Sequence, residues 1–145
     1  MDIESILRDE VVDLHEFFVR WYGGHADRSE LDAVLARFHP DFLYVFPAGR
    51  RSSHADLARM LGASHGGNPA FRIEVTGFSF QALGGALWGV TYEEYQWGAR
   101  NSASENGRIS SAVFAVSGGQ ATWLRLHETW LPAAEVAAFH TQRRS

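Results

Sequence analysis

The sequence predicts an α+β fold in which a strongly curved, mostly antiparallel sheet wraps around N-terminal helices. Two observations support this prediction. Apolar residues recur every three or four positions over residues 2–22, whereas from residue 71 onward they alternate with polar residues. Glycine pairs also divide the second half into segments of strand length. The 145 residues fit one domain, spanning 1–145.

Two helices are predicted at the start of the chain. The first covers residues 2–22 and ends at Gly23, since glycine is common just after a helix. The second can be capped by Ser29. It ends before Pro40, because the residue preceding a proline avoids the α region.

A short strand and a third helix follow. Residues 42–46 are aromatic or β-branched for the most part, which favours a strand. After a turn at residues 47–49, Ser53 can begin the third helix and Gly62 can end it. The predicted order to this point is helix, helix, strand, helix.

Four strands and a terminal helix complete the prediction. The apolar register of residues 71–82 moves from odd to even positions across Gly77, which is typical of a β-bulge. A hairpin turn at Gly84-Gly85 leads into the strand 86–97. After the polar loop 98–107, two further strands and a helical segment are predicted at residues 108–116, 121–131 and 133–140.

Composition excludes several classes of protein. The net charge of −4 disfavours a nucleic-acid partner, which normally meets a basic surface. The chain has no cysteine, so it offers neither a disulfide nor a thiolate ligand. No signal sequence or membrane-spanning segment is recognised, and a cytoplasmic location is expected. The seven histidines show no metal-binding spacing, and we expect neither metal nor cofactor.

Three segments carry a resemblance to a known family. They are Leu31–Phe38 followed by His39–Phe42, then Val45–Gly49 before a helix, then Gly119 with Trp123–His127. In order and spacing they resemble the nuclear-transport-factor-2-like superfamily, in particular its SnoaL-like and ketosteroid-isomerase-like domains. The resemblance implies a cone-shaped α+β barrel, a pocket between the first helix and the concave face of the sheet, and a homodimer formed through the sheet. It implies no single function, since the fold hosts enzymes, binding domains and assembly domains.

The chemistry of two family branches can be compared with the residues present. In the steroid-isomerase branch a catalytic aspartate precedes the proline that resembles Pro47, but Phe46 stands there and cannot act as a base. The oxyanion-binding tyrosine of that branch is replaced by Phe17-Phe18. Isomerisation by that mechanism is therefore not expected. The dehydratase branch needs a histidine–aspartate pair, for which only His127 is recognised.

Candidate catalytic and binding residues lie on the long strands. Strict alternation divides the last strand into two faces. The more polar face holds Trp123, Arg125, His127, Thr129 and Leu131. Two interpretations are open: Arg125 and His127 line the pocket, or they lie on an outer or dimer face, which is the commoner arrangement. On the strand 86–97, Tyr92 and Glu94 can face the cavity and join His127 as acid–base candidates. The alternative is that Glu93 and Glu94 pair across strands with Arg108 or Arg125.

An aromatic cavity is the remaining candidate feature. Its expected walls are Trp21, Tyr44, Phe46, Met60, Trp88 and Trp123, although such residues are more often plain core. The sequence favours a small-molecule-binding domain, with a small hydrophobic or carbonyl ligand. A cofactor-independent isomerase, dehydratase or cyclase and a dimeric assembly domain are the alternatives.

Overall fold

The structure, a computed structural model, describes residues 2–144 as four α-helices and six strands. In chain order they are α1 (Ile3–Tyr22), α2 (Leu31–Leu35), β1 (Phe38–Val45), β2 (Arg51–Ser53), α3 (His54–Ser64), β3 (Arg72–Gly84), β4 (Leu87–Trp97), β5 (Asn106–Ser117), β6 (Gln120–Trp130) and α4 (Ala133–Arg144). The order of elements predicted from the sequence is confirmed, with β2 added. The fold class is α+β, as expected.

The six strands form one curved sheet in the order β2-β1-β6-β5-β4-β3. Strands β3 to β6 form an antiparallel meander, and β2 pairs antiparallel with β1. Only β1 and β6 run parallel within the described sheet. Strand β1 thus joins the N-terminal half of the chain to the last strand of the meander, and the sheet curls around α1.

The core lies between α1 and the inner face of the sheet. Its largest fully buried side chains include Trp21, Trp123, Tyr92 and Phe114. The indole Nε1 of Trp21 donates a hydrogen bond to the carbonyl oxygen of Leu61 at 2.8 Å, which ties α1 to α3. Asp2 caps α1 by accepting from the Ser5 amide at 2.7 Å.

The predicted second helix is shorter than expected. A 3₁₀ turn at Arg28–Glu30 precedes α2. Asp27, rather than Ser29, caps this turn through a capping box with Glu30. Strand β1 then begins at Phe38, so Pro40 lies inside the strand instead of ending a helix. The register of β1 against β6 shifts between residues 38 and 43, and such an irregularity tolerates the missing amide of proline.

Two long strands contain bulges. The expected bulge in β3 is present: Thr76 pairs with Glu93 and Ser79 with Thr91, which leaves one extra residue around Gly77. The glycine has φ 69°, a conformation that other residues rarely adopt. Strand β6 also contains a bulge, which the alternation of its residues did not predict.

The bulge in β6 is at Leu124. Val113 pairs with Arg125 and Phe114 with Trp123, so Leu124 has no partner on β5. Before the bulge, Trp123 faces the core; after it, Glu128 does. The expectation that residues 123 to 131 keep one alternation is therefore wrong, because one inserted residue exchanges the two faces of a strand.

Helix α4 packs on the outer face of β4 and β5. The Phe139 ring stacks on Tyr95 with 3.5 Å between ring centroids. His140 is buried, and its Nε2 lies 2.9 Å from the carbonyl oxygen of Asn106. This helix continues to Arg144, beyond the segment 133–140 predicted from the sequence. None of the helices within residues 2–144 is long and apolar enough to cross a membrane.

Candidate functional site

Polar side chains converge on the inner face of the sheet beneath α1. We call this set the inner polar cluster, and it consists of His15, Tyr44, Tyr92, Glu94, Gln96, Asn106, Arg108, Ser110 and Glu128. All except Tyr44 are buried. Burying so many polar groups is costly unless they bind one another or a ligand, so their contacts indicate what the cluster can do.

Alternation along the strands explains how these residues meet. Even-numbered residues of β4 and β5 face inward, and each inner residue of β4 lies opposite one of β5. Glu94 is the register partner of Arg108, and Tyr92 that of Ser110. The bulge in β6 brings Glu128, the partner of Ser110 on its other side, to the same face.

His15 and Glu94 form one half of the cluster. The His15 Nδ1 lies 2.7 Å from the carbonyl oxygen of Val11, and its Nε2 lies 3.0 Å from Glu94 Oε1. Both partners are acceptors, so both ring nitrogens donate and His15 is an imidazolium cation. Gln96 Nε2 donates to the other oxygen of Glu94 at 2.6 Å.

The charges of this pair stabilise each other. Burial alone would raise the pKa of Glu94, but the His15 cation, its hydrogen bond and the nearby Arg108 lower the pKa to about 2. Burial alone would lower the pKa of His15, but the Glu94 carboxylate and the Val11 carbonyl raise it above its ordinary value of 6.5. Glu94 is therefore an ionised carboxylate at neutral pH, with both oxygens engaged.

Glu128 forms the other half of the cluster. Its Oε1 accepts hydrogen bonds from Arg108 Nη1 at 3.1 Å and from the Tyr44 hydroxyl, and its Oε2 accepts from Ser110 Oγ at 2.7 Å. Burial and the neighbouring Glu94 carboxylate raise the pKa of Glu128, and these effects outweigh the opposing influence of Arg108 and the two hydroxyls. The two carboxyl groups thus have pKa values that are shifted in opposite directions.

Arg108 links the two halves. Its Nη2 donates to Gln96 Oε1 at 3.2 Å and to Asn106 Oδ1 at 3.1 Å, in addition to the bond from Nη1 to Glu128. The guanidinium carbon lies 4.9 Å from the ring centroid of Trp130, which is 41% exposed and borders the cluster. Arg108 is therefore a fixed cation that reaches both halves beside a partly open edge.

Two donors of the cluster have no acceptor in good hydrogen-bond geometry within residues 2–144, although the Ser110 hydroxyl lies near that of Tyr92. They are the Nε of Arg108 and the hydroxyl of Tyr92, both fully enclosed. A buried donor without an acceptor costs about 1–3 kcal/mol. An acceptor oxygen from outside the chain would satisfy these donors once the partly exposed edge of the cluster at Trp130 opens, because neither donor is in contact with solvent.

The predicted aromatic walls have different roles. Trp21 and Trp123 are fully buried core residues, and the Trp123 Nε1 donates to Glu10 Oε2 at 2.8 Å. Tyr44 belongs to the inner polar cluster through its bond to Glu128, and the Phe46 ring lies 4.1 Å from the Tyr44 ring.

The two remaining predicted wall residues, Trp88 and Met60, lie away from Tyr44 and from each other. Trp88 lies on the inner face of β4, partly buried against the core. Met60 lines a surface cavity of about 390 Å³ beside β2 and α3.

The last strand requires a correction. Tyr92 and Glu94 lie in the inner polar cluster, but Arg125 and His127 are exposed on the outer face. The bulge at Leu124 is the physical reason, because the inserted residue turns the side chains of Arg125 and His127 to the face opposite that of Trp123. The outer-face interpretation describes Arg125 and His127, and they do not join Glu94.

Sequence reasoning missed several members of the cluster. His15 and Glu128 were not candidates, and Arg108 was considered only as an ion-pair partner of Glu93 or Glu94. In the structure Arg108 bonds Glu128, while Glu93 accepts from the Tyr95 hydroxyl at 2.6 Å. A signal for His15 existed in the sequence: it follows Val11 by four residues and so lies on the apolar face of α1.

No group of three or more histidine, aspartate or glutamate side chains within residues 2–144 is placed to hold a metal ion. The charged groups of the inner polar cluster bond one another instead.

Comparisons with solved structures identify the fold. A crystal structure of an NTF2-like protein of unknown function from Pseudomonas aeruginosa matches with a TM-score of 0.80 and 30% identity, over 88% of this chain and 99% of that one. The association domain of CaMKII from C. elegans matches with a TM-score of 0.62 and 13% identity, over 87% of this chain and 93% of that one. The second likeness shows the fold alone.

Comparisons with curated sequences give two relatives. Sucrose-phosphatase 2 and sucrose-phosphatase 1 of Nicotiana tabacum are 29% and 28% identical to the chain over 131 residues. Each match covers 86% of this chain but only 31% of the relative, so the chain spans about a third of their length. No protein-family model matches the chain.

Proposed function

The chain belongs to the nuclear-transport-factor-2-like superfamily, and we propose that it binds a small oxygen-rich molecule at the inner polar cluster. The observation that supports this proposal is the pair of enclosed donors without acceptors, Arg108 Nε and the Tyr92 hydroxyl. A ligand with hydroxyl or carbonyl oxygens would satisfy both donors.

The edge of the cluster supports an aromatic contribution to binding. Trp130 is 41% exposed and packs over Arg108, while Tyr44 and Phe46 lie on the neighbouring strand β1 and the turn that follows it. Aromatic faces bind the apolar faces of sugar-like and carbonyl compounds while polar groups fix their orientation. The tobacco relatives are named for a sugar, which agrees with a ligand of this class.

A binding experiment tests the proposal. Ligand-detected NMR with a panel of sugars and hydroxycarbonyl compounds should show contacts to the wild-type protein. Tyr92→Phe removes one unpartnered donor and should weaken binding without weakening the fold. Ser111→Ala, on the exposed outer face of β5, is the matched hydroxyl control and should bind as the wild type does.

Two results would count against the binding proposal. One is the absence of any contact across the panel. The other is equal binding by wild type and Tyr92→Phe together with a rise in the stability of that variant. The second result would mean that the Tyr92 hydroxyl is only a buried defect.

An acid–base reaction is the second candidate function, favoured by the opposite pKa shifts of Glu94 and Glu128. Where two carboxyl groups have pKa values shifted apart, the one with the higher pKa can donate a proton while the other stays ionised. Glu128 would act as the acid, and Glu94, held by His15 and Gln96, would stabilise positive charge in the site. Neither stands at the position of Phe46, so this chemistry differs from steroid-type isomerisation. Loss of turnover in Glu128→Gln with retained ligand binding would support it; unchanged turnover in that variant would exclude it.

We also propose a homodimer formed through the outer face of the sheet. Ile109 and Leu87 are 39% and 40% exposed there, on neighbouring strands. Helix α4 covers only the end of this face near Tyr95, so the remainder is open. Leu87 pairs with Ala115 and Ile109 with Glu93, so the two exposed apolar side chains lie towards opposite ends of the face, and a second copy covering this face would bury both.

A further inference from the structure

A second region of the chain carries an excess of positive charge around a cavity. The cavity has a volume of about 390 Å³ and is lined by Arg50, Arg51, Ser52, Asp56, Arg59 and Met60. We call it the arginine cavity. It lies between the turn after β1, strand β2 and the first half of α3. Three guanidinium groups meet one carboxylate here, in a chain whose net charge is −4.

The single carboxylate is already engaged. Asp56 Oδ2 accepts from the Ser53 amide at 2.9 Å, which completes the capping box of α3. Its Oδ1 pairs with Arg59. Hydrogen bonds with Ser53 and the nearby Arg59 lower the pKa of Asp56, so it stays ionised and neutralises Arg59 alone.

Arg50 and Arg51 are left without an anionic partner in the described part of the chain. Arg50 lies over the Phe46 ring, with 5.4 Å between its guanidinium carbon and the ring centroid. That contact holds the guanidinium beside the cavity and leaves its donors free. Arg51 is exposed and enters no ion pair within residues 2–144. Two free guanidinium groups therefore border one cavity.

The Ser52 hydroxyl adds a neutral donor to the arginine cavity. Ser52 is buried and lines the cavity, and α3 begins two residues later. The capping box of Ser53 and Asp56 already occupies the N-terminus of α3, so the two arginines and Ser52 are the donors that remain for a ligand. Ser52 is also the register partner of Tyr44, so the cavity adjoins the strand that carries a member of the inner polar cluster.

We propose that the arginine cavity binds the phosphate group of a small phosphorylated molecule. Two guanidinium groups and a hydroxyl offer more donors than one carboxylate can accept, whereas a phosphate accepts from several at once. The volume of the cavity exceeds that of a phosphate group alone, so it also admits part of the attached organic group. The cavity is concave although open to solvent, and a concave site favours a small molecule over the flat surface of a lipid bilayer.

Calorimetric titration of the full chain with phenyl phosphate, inorganic phosphate and benzoate tests this proposal. Phenyl phosphate should bind more tightly than benzoate, and binding should weaken with added salt. Arg51→Ala and Arg50→Ala should each lower the affinity about tenfold or more. Arg51→Lys should retain part of it, because the charge remains but the bidentate geometry is lost.

The matched control is Arg8→Ala. Arg8 is an exposed arginine over Phe78 and Phe80 on β3, the opposite edge of the sheet from β2. It changes the net charge by the same amount as Arg51→Ala and should leave phosphate binding unchanged. A sedimentation assay with vesicles containing phosphatidylserine should show no binding that depends on Arg51.

Three outcomes would overturn the proposal. They are no heat of binding with either phosphate compound, an equal loss in Arg8→Ala and Arg51→Ala, or a stronger dependence on Arg51 for vesicles than for phenyl phosphate. Tyr92→Phe is not expected to affect phenyl phosphate binding. The arginine cavity can thus fail its test while the inner polar cluster still binds a ligand, and the reverse also holds.

Discussion

At the scale of single residues, the inner polar cluster depends on one cation that serves two carboxylates. Arg108 bonds Glu128 directly and lies opposite Glu94 across the sheet. Its side chain is only 9% exposed, so water cannot replace it. Removal of this cation leaves the buried Glu128 carboxyl group without its cationic partner and close to the ionised Glu94, which is an unfavourable arrangement.

We therefore expect Arg108→Met to destabilise the fold by about 3–5 kcal/mol, measured by urea denaturation. Arg125→Met is the control, because Arg125 is exposed on the outer face of β6 and should change stability by no more than about 0.5 kcal/mol. Adding Glu128→Gln to Arg108→Met should recover part of the loss. Equal stability of Arg108→Met and wild type would show that the cluster contributes nothing to folding.

The charge of His15 makes a second residue-level prediction. Its pKa in the folded protein lies above 6.5, so the stability that it contributes is complete below pH 6.5 and is lost as the pH rises through the folded-state pKa. His15→Gln should abolish this contribution. The stability difference between wild type and variant should therefore shrink as the pH rises above about 6.5 and through the folded-state pKa of His15.

Denaturation curves of both proteins across that range measure this difference. Glu128 also has a raised pKa, but it is common to both proteins and its effect largely cancels in the comparison. A difference that stays constant with pH would mean that His15 is neutral in the folded state. Its ring would then donate only one of the two hydrogen bonds, to Val11 or to Glu94.

At the scale of elements, the contact between α4 and the sheet requires a glycine at position 107, because there is no space for a side chain. A Cβ added to Gly107 would lie 2.8 Å from two ring carbons of Tyr95 and 3.1 Å from Val136 Cγ2. The Tyr95 ring cannot retreat easily, because Phe139 stacks on it from α4. Gly107 is therefore needed for close packing of the terminal helix.

Gly107→Ala should destabilise the protein by about 1–3 kcal/mol through overpacking, as measured by thermal or urea denaturation. Gly62→Ala is the matched control, since an added Cβ meets nothing within 4 Å and the residue lies inside α3. That change should stabilise by about 0.5–1 kcal/mol, because alanine favours a helix more than glycine does. A neutral Gly107→Ala would show that α4 is loosely attached.

The elements also show what the sequence could predict. Residues with a strong period, such as α1 and the strands after Arg72, were predicted within a few positions. Strand β2 was missed because three residues carry too little pattern. The second helix was predicted too long, because a 3₁₀ turn capped by Asp27 precedes it and β1 begins at Phe38. The bulge at Gly77 was predictable, since a glycine and a change of register coincide. The bulge at Leu124 carries no such residue, so the faces of β6 were assigned wrongly.

The same difference applies to the candidate site. Tyr92 and Glu94 could be placed on the inner face because β4 alternates without interruption. Glu128 could not be placed on that face, because Leu124, the bulged residue that exchanges the two faces of β6, is an ordinary apolar strand residue and gives no sign of a bulge. His15 and Arg108 become site residues only when a helix and a strand far apart in sequence come into contact, which local patterns do not reveal.

At the scale of the whole molecule, the outer face of the sheet supports the proposed homodimer. Ile109→Glu introduces a charge at an exposed apolar position of this face and should convert the dimer to a monomer. Light scattering at several concentrations measures the change. Ile3→Glu, at an exposed position on α1, is the control and should leave the dimer intact. A wild-type protein that is monomeric at micromolar concentration would contradict the proposal.

The bulge at Leu124 has a practical consequence for anyone who varies this protein. Inward positions of β6 are odd-numbered before residue 124, as at Ala121 and Trp123, and even-numbered after it, as at Leu126 and Glu128. The first length of the strand therefore serves the apolar interior, and the second serves the polar chemistry. A mutant library built on a single parity would combine interior and surface positions. A library that changes parity at residue 124 could alter ligand preference while the apolar part of the strand stays untouched.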